Sequence, residues 1–270
     1  MPVPLTNMLE TLVLRALEDD KRHENAWHSF VRASEVGRRL PLVHRTSKSG
    51  TDTKWFDILR TRSFVADTPC TGARELAAGI PRAAYFFLGA GAYPKGLVAF
   101  VLDPSSVLNQ PSSYTPFDSG SVDNPAFLCP IDAASAAAWD VPARDRFLTT
   151  HVGAGVEVLG FAGPYLATHF VDPFSYVRAP QISSPDFAPY HGMYSPNGDR
   201  RAWTIEVQVH HDVMFGAGGA TLTEIVVARK MLLEDLPDDL ISLARVATPE
   251  NDVLGSVATG IASSITAEVP

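Results

Sequence analysis

The chain has 270 residues, of which 46% are hydrophobic and 19% are charged, a balance typical of a globular domain. No apolar run approaches the roughly 20 residues that cross a bilayer, which argues against a membrane-spanning protein or a membrane partner. The net charge of −8 argues against tight nonspecific binding to nucleic acid, although residues 32–82 hold 10 Lys/Arg against 5 Asp/Glu, a local excess suited to an anionic ligand.

Two helices are predicted in residues 1–40, which we expect to form an N-terminal helical cap. Asn7 followed by Glu10 is typical of a helix start, and the apolar residues that follow recur at helical spacing. The second helix is predicted over about 23–36, with Gly37 as its end.

Residues 41–248 are predicted to form the main domain. Its expected strands cover about 41–44, 83–88, 97–102, 203–209 and 223–228. Its expected helices cover 51–64, 73–78, 132–139, 144–151 and 238–246. Two irregular inserts are expected at 103–130 and 163–200, and residues 249–270 are expected to be a weakly ordered tail.

The order of these elements does not follow the regular alternation of strand and helix that a doubly wound sheet requires. It favours the α+β class. No GxGxxG lies between a predicted strand and helix, and GxxxxGK[ST] does not occur, so the standard dinucleotide-binding and P-loop patterns are missing from the sequence.

Three strands far apart in the sequence each carry one residue suited to chemistry: His44, Tyr85 and Glu206. A carboxylate within an apolar strand is unfavourable unless it faces a cleft or a partner. Strand alternation also permits a solvated face formed by Thr204, Glu206 and Gln208. We expect that the three strands bring His44, Tyr85 and Glu206 to one cleft.

These segments resemble the ADP-ribosyltransferase superfamily, in particular its DarT-like, bacterial toxin-like branch. The resemblance covers about residues 40–105 and 200–230, and it depends on the order of the motifs. They are a His and a hydroxyl residue on a first core strand, the helix-containing segment FDILRTRSF, an aromatic strand, and the late strand TIEVQV. The fold that it implies is a split antiparallel or mixed β-sheet core with N-terminal helices and long loop insertions.

The resemblance implies that NAD is a co-substrate and that Glu206 is catalytic. His44 would bind the adenosine-side ribose, Thr46 or Ser47 would lie near the nicotinamide amide, and Tyr85, or its neighbours Phe86 and Phe87, would stack on the nicotinamide. A guanidinium would bind the pyrophosphate, and five arginines stay open for that role. They are Arg45, Arg60, Arg62, Arg74 and Arg82.

The implied activity is mono-ADP-ribosyl transfer to a protein or nucleic-acid acceptor, as in intracellular toxins and defence enzymes, which have antitoxin partners. The arginine-specific branch has a second Glu two residues before the catalytic one. Here Thr204 stands at that position, which disfavours arginine side chains as acceptors, and Ser63 stands where many relatives have Gly. With two cysteines in unrelated contexts and no secretion signal at the N-terminus, we expect a cytoplasmic setting.

Two alternatives from other functional classes stay open. A metal-dependent hydrolase could use the adjacent His210, His211 and Asp212 with other histidines, although neighbouring strand residues point to opposite faces and we expect no metal site. A noncatalytic ligand-binding module could keep the cleft without turnover, with its long loops as a recognition surface.

Overall fold

The computed structural model describes residues 26–46, 54–67, 73–92, 96–122, 140–170, 176–177, 201 and 203–268. Its helices are α1 Ala26–Arg39, α2 Lys54–Thr61, α3 Ala73–Ala77, α4 Val141–Thr150, α5 Val158–His169, α6 Asp238–Ile241 and α7 Val253–Glu268. Its strands are β1 Leu42–Arg45, β2 Ser63–Phe64, β3 Ala84–Leu88, β4 Val98–Leu102, β5 Ser112–Thr115, β6 Gly153–Ala154, β7 Glu206–Val209, β8 Val213–Met214, β9 Leu222–Val227 and β10 Ala244–Val246. The helix expected near Asn7 and much of the insert 163–200 lie outside the described residues.

The main sheet has eight strands in the order β10-β9-β4-β1-β3-β7-β5-β6, and β2 and β8 form a separate pair. All neighbours in the main sheet are antiparallel except β10 and β9, which are parallel. The predicted α+β class is therefore confirmed, with a mixed sheet and several helices.

Aromatic side chains fill the core on one face of the central strands. The ring centroid of Phe64 lies 5.3 Å from that of Phe86 and 5.5 Å from that of Phe100, and Phe215 packs on the same group. Helix α2 joins the core through Trp55, Ile58 and Leu59, whose spacing of three and four residues produces one buried face. The opposite face of β3, β7 and β5 is polar in its central part.

Helices α1 and α5 pack closely because glycines stand at their contact. A Cβ on Gly37 would lie 2.6 Å from the backbone nitrogen of Gly163, and a Cβ on Gly163 would lie 2.8 Å from the Cα of Ser34. The sequence prediction that Gly37 ends the helix was wrong, since α1 continues to Arg39. Gly37 is needed for close packing of two backbones and not for a helix end.

The insert predicted over 103–130 contains a strand of the main sheet. Strand β5 pairs with β7 along its whole length, and its Tyr114 is buried. The polar sequence Ser-Ser-Tyr-Thr does not have the apolar alternation that identifies a strand. The pairing is nevertheless favourable, since Ser113 and Thr115 face polar partners on β7 and not an apolar layer.

The prediction of a weakly ordered tail over 249–270 was also wrong. Helix α7 occupies Val253–Glu268 and packs over β4 and β9, and the apolar residues Val253, Val257, Ile261 and Ile265 are buried. These residues recur every four positions, which aligns them on one side of a helix. The many small residues between them hid this periodicity.

Candidate active site on the central strands

The three strands predicted to carry the site are immediate neighbours in the sheet, in the order β1-β3-β7. Val43 pairs with Phe87, Phe87 pairs with Glu206, and Glu206 pairs with Thr115 on β5. Paired residues of antiparallel strands project to the same face. Glu206 therefore lies beside Phe87 on a face that extends from β1 to β5.

The carboxylate of Glu206 is buried and accepts several hydrogen bonds at one oxygen. Only 4% of the residue is exposed. Its Oε1 accepts from the hydroxyl of Ser119 at 2.6 Å, from the backbone N–H of Ser119 at 3.2 Å and from Nε2 of Gln208 at 2.8 Å. The interpretation of Thr204, Glu206 and Gln208 as a solvated face is excluded, because all of them are buried.

Burial raises the pKa of Glu206 well above its usual range, because the charged form loses its hydration. The nearby negative charge of Asp118 raises the pKa further, and that of Glu75 adds a smaller increase. The hydrogen bonds from Ser119 and Gln208 act in the opposite direction, since they stabilise the carboxylate. This buried carboxyl with a raised pKa makes the centre of the sheet a candidate functional site.

A second carboxyl lies on the other side of Ser119. The hydroxyl oxygen of Ser119 lies 2.5 Å from Oε1 of Glu75 and 2.6 Å from Oε1 of Glu206. Glu75 belongs to α3, Ser119 follows β5 and Glu206 belongs to β7, so one hydroxyl joins three distant parts of the chain. All three residues are almost completely buried.

Gln208 links Glu206 to the edge of the sheet through a chain of hydrogen bonds. Its Nε2 donates to Glu206 and to Oγ1 of Thr115, so its Oε1 faces the hydroxyl of Ser113 at 3.0 Å. The Ser113 hydroxyl donates to that oxygen and also lies 3.0 Å from Nε2 of His210. His210 is therefore the donor in that contact, and the chain holds the Gln208 amide in one orientation.

The structure separates His44 from Glu206. His44 pairs with Phe100 across β1 and β4, and its ring lies against Phe64 and Phe86. Phe86 and Phe87 are adjacent on β3 and point to opposite faces, so His44 and Glu206 are on opposite faces of the sheet. The prediction that His44 and Glu206 share one cleft was wrong.

His44 has a structural environment. Its Nδ1 donates to the backbone oxygen of Tyr85 at 2.8 Å. Burial lowers the pKa of His44 to about 4, an effect that the bond to Tyr85 partly offsets and the charge of Lys54 reinforces. The imidazole is therefore neutral near pH 7 and packs as part of the aromatic core.

Arg45, next to His44, lies on the Glu206 face of β1, and Tyr85 lies on the same face of β3, opposite Gln208. The loop after β3 packs against the Arg45 side chain. A Cβ on Gly91 would lie 3.3 Å from both Cδ of Arg45 and the ring of Phe87, and a Cβ on Gly96 would lie 3.2 Å from a guanidinium nitrogen of Arg45. The glycines of the GAGAYPKG segment therefore make room for Arg45.

The other predicted ligand-binding residues have different positions. Thr46 is buried, and its hydroxyl donates to the backbone oxygen of Val98, as its N–H also does, so it extends the β1–β4 pairing. The guanidinium of Arg82 donates to the backbone oxygen of Ala66 at 2.6 and 3.1 Å. Ser47 lies outside the described residues.

Two further arginines that were open for the pyrophosphate form ion pairs elsewhere. Arg60 pairs with Asp57 at 3.0 Å, and Arg62 pairs with Asp239 at 2.7 Å. The side chain of Arg74 lies outside the described part of the chain. Arg45 is thus the one of the five arginines that the described geometry associates with the Glu206 face.

Sequence reasoning did not identify Glu75, Asp118, Ser119 or Gln208 as members of the site. The segment FDSGS carries one usable signal, since Asp118 and Ser119 lie between the apolar Phe117 and Val122 within a polar insert. Glu75 has no such signal, because a glutamate in the first turn of a helix is common at the surface.

Within the described ranges, no group of three or more His, Cys, Asp or Glu side chains has an arrangement that could hold a metal ion. His210 contacts Ser113, whereas Nδ1 of His211 donates to the backbone oxygen of Asp212, so the two histidines do not converge. In the same ranges, no helix is long and apolar enough to span a bilayer.

No protein-family model matches the chain, and no curated protein matches it in sequence. The interpretation of the site therefore depends on its geometry. The polar face brings together two carboxyls, a bridging hydroxyl, an oriented amide and, in neighbouring positions, aromatic side chains and a guanidinium. Such a group of side chains can hold a proton between its carboxyls, and an ionised carboxylate within it can stabilise a positive charge.

Proposed function

We propose that this protein consumes NAD as a mono-ADP-ribosyltransferase, with Glu206 as the catalytic residue. The observation that carries the proposal is the buried carboxylate of Glu206 beside Phe87, on the same sheet face as Tyr85 and Arg45. This combination agrees with what the resemblance to ADP-ribosyltransferases implies for the catalytic Glu, the aromatic strand and a pyrophosphate-binding arginine. It departs from the resemblance at His44, which lies on the opposite face of the sheet and is not available for the adenosine-side ribose.

The chemistry assigns a role to each group. The bond between ribose C1′ and the nicotinamide nitrogen breaks, its electron pair leaves with neutral nicotinamide, and positive charge develops on the ribose. The carboxylate of Glu206 stabilises that charge and accepts a ribose hydroxyl hydrogen bond. The acceptor then attacks C1′ and loses its proton.

The neighbouring side chains suit the rest of the ligand. A guanidinium binds two phosphate oxygens with a matching fork of N–H groups, which makes Arg45 the candidate for the pyrophosphate. Tyr85 and Phe87 supply aromatic faces for the nicotinamide ring. Phe86 is removed from that role, because it belongs to the aromatic core on the other face.

Substrate access requires a local movement. Because Glu206 is covered by Ser119, a ribose could contact its carboxylate only after the Asp118–Ser119 segment or α3 shifts. Movements of loops over active sites are common and exclude water from the reaction. The acceptor is proposed to be a protein or nucleic acid in the cytoplasm, and an antitoxin partner would accompany a toxin or defence role.

The test is to incubate the purified chain with NAD and cell extract or nucleic acid, and to follow nicotinamide release and labelled adduct. We expect turnover by the wild type and by the control Glu157→Gln, whose side chain is exposed and remote in sequence. Glu206→Gln should lose on the order of 10²- to 10³-fold, the usual effect of removing one electrostatic stabiliser. Equal turnover by Glu206→Gln would remove Glu206 from the mechanism.

A noncatalytic ligand-binding module is the second candidate, and the closure of Ser119 over Glu206 is the observation that favours it. Calorimetry with NAD distinguishes the two functions. Binding without nicotinamide release, in the presence of candidate acceptors, would favour the module. Release that depends on Glu206 would favour the transferase.

A further inference from the structure

The contacts of Ser119 determine how many protons the buried carboxyl pair must hold. Two oxygen–oxygen contacts, of 2.5 Å to Glu75 and 2.6 Å to Glu206, each need one hydrogen. The Ser119 hydroxyl has only one hydrogen, and an ionised carboxylate can only accept. One of the two carboxyls therefore supplies the second hydrogen and is protonated.

The charged groups that raise the pKa of Glu206 are both carboxyls. Asp118 faces Glu206 from the segment after β5, and Glu75 faces it from α3. Thr204 and Gln208, which flank Glu206 on the same face, are neutral. The residue that pairs with Glu206 on β3 is the uncharged Phe87. Two ionised glutamates in contact with one hydroxyl would repel each other in a buried, weakly screened site.

We propose that Glu75 and Glu206 share one proton through Ser119, and that Glu75 is thereby a positioning residue for Glu206. Glu75 donates its hydrogen to the Ser119 oxygen while Ser119 donates its own to Glu206. The reverse arrangement follows when both hydrogens shift along the chain. The pair carries one proton and one negative charge in either arrangement.

The catalytic meaning of this pair rests on the proposed function. With the shared proton on the Glu75 side, Glu206 is the anion that faces the developing positive charge. Glu75 does not contact the reacting atoms in this account. It acts through Ser119, by holding the proton that would otherwise neutralise Glu206.

The test is NMR of the full chain labelled with ¹³C at the glutamate carboxyl carbon, titrated from acid to alkaline pH. The variants are Glu75→Gln, Glu206→Gln and the exposed control Glu157→Gln. In the wild type we expect one glutamate carboxyl to stay protonated at a pH at which exposed glutamates are ionised. In Glu75→Gln, Glu206 should ionise in one step, at lower pH than the last step of the wild-type pair, because a neutral amide replaces a neighbour that is negative in that step.

Two results would overturn the proposal. One is ionisation of both Glu75 and Glu206 together with the exposed glutamates of the wild type. The other is an unchanged Glu206 titration in folded Glu75→Gln. If Glu75→Gln does not fold, Ser119→Ala is the substitute, since it removes the shared hydroxyl. The coupling between the two carboxyls should then become weaker, because only their charge repulsion remains, and unchanged coupling would contradict the proposal.

Activity gives a second readout. In Glu75→Gln, the acid limb of the kcat/KM profile should shift to higher pH, because no second carboxyl then holds the proton that neutralises Glu206. A purely structural role of Glu75 would lower activity without moving that limb. The two proposals fail separately. A shared proton without NAD turnover would refute only the transferase function, and turnover with an unmoved Glu206 titration would refute only the proton pair.

Discussion

Phe87 and Glu206 lie directly opposite each other on β3 and β7, on the face of the sheet that does not contain His44. This pairing puts an aromatic ring beside a buried carboxylate at the centre of the molecule. The ring of Phe87 and the side chain of Arg45 both lie 3.3 Å from the position that a Cβ on Gly91 would occupy. One face of three neighbouring strands thus contains the carboxylate, the ring and the guanidinium on which the proposed function depends.

Glu206→Gln should stabilise the protein at neutral and alkaline pH. Because the folded-state pKa of Glu206 lies above its unfolded value, its stabilising contribution is complete below the unfolded pKa and is lost as pH rises through the folded one. The neutral amide removes that loss. The free energy of unfolding, measured in urea at several pH values above 5, should decrease less with rising pH for Glu206→Gln than for the wild type. Equal decreases would contradict the raised pKa of Glu206.

His44→Phe should change the acid stability and leave NAD turnover intact. The folded-state pKa of His44 is about 4 against 6.5 unfolded, so stability present above pH 6.5 is lost as pH falls towards 4. This pKa difference corresponds to a decrease in the free energy of unfolding on the order of 3 kcal/mol between neutral and acid pH. His44→Phe should reduce the loss of free energy of unfolding at acid pH. It should not abolish that loss, because burial also lowers the pKa of His151 to about 4. Loss of NAD affinity in folded His44→Phe would return His44 to the site.

Gly91→Ala should destabilise the protein and disturb Arg45. Both Gly91 and Gly79 have positive φ angles, of 90° and 83°, so alanine is strained at either position. Only at Gly91 would the new methyl group contact Arg45 and Phe87, whereas nothing lies within 4 Å at Gly79. We expect Gly91→Ala to lower the free energy of unfolding by about 1–3 kcal/mol more than Gly79→Ala does. Equal losses in denaturant titrations would exclude close packing around Arg45.

Gly163→Ala should separate α1 from α5. Its methyl group would lie 2.8 Å from the Cα of Ser34, whereas a methyl group on Gly160 of the same helix would contact nothing within 4 Å. We expect Gly163→Ala to destabilise by about 1–3 kcal/mol. Gly160→Ala should stabilise by about 0.5–1 kcal/mol, because alanine is the better helix former. Thermal unfolding of both variants checks this, and stabilisation by Gly163→Ala would contradict the close helix packing.

Local patterns in the sequence predicted part of this structure. The apolar aromatic run before the GAGAYPKG loop is β3, and α2 lies within the helix predicted over 51–64. The sequence alone could not show whether His44 or Arg45 lies on the face of Glu206. Neighbouring residues of a strand point to opposite faces, and only the pairing of β1 with β3 and β4 determines which face each one takes. The expected His44–Glu206 cleft failed for this reason.

The polar site needed contacts that no local pattern contains. Ser119 meets Glu75 across 44 positions and Glu206 across 87 positions of the sequence. Glu75 and Ser119, taken alone, are typical of a surface helix and of a loop. Their burial becomes favourable only when all are together, since each one satisfies the hydrogen-bonding groups of another.

The central claim is that the Glu206 carboxylate stabilises the ribosyl cation formed from NAD. The most direct measurement is the initial rate of nicotinamide release from NAD by the purified wild type, Glu206→Gln and Glu157→Gln at a pH where all three are folded. The account predicts equal rates for the wild type and Glu157→Gln, and a rate lower by on the order of 10²- to 10³-fold for Glu206→Gln. Release at the wild-type rate by Glu206→Gln would contradict it.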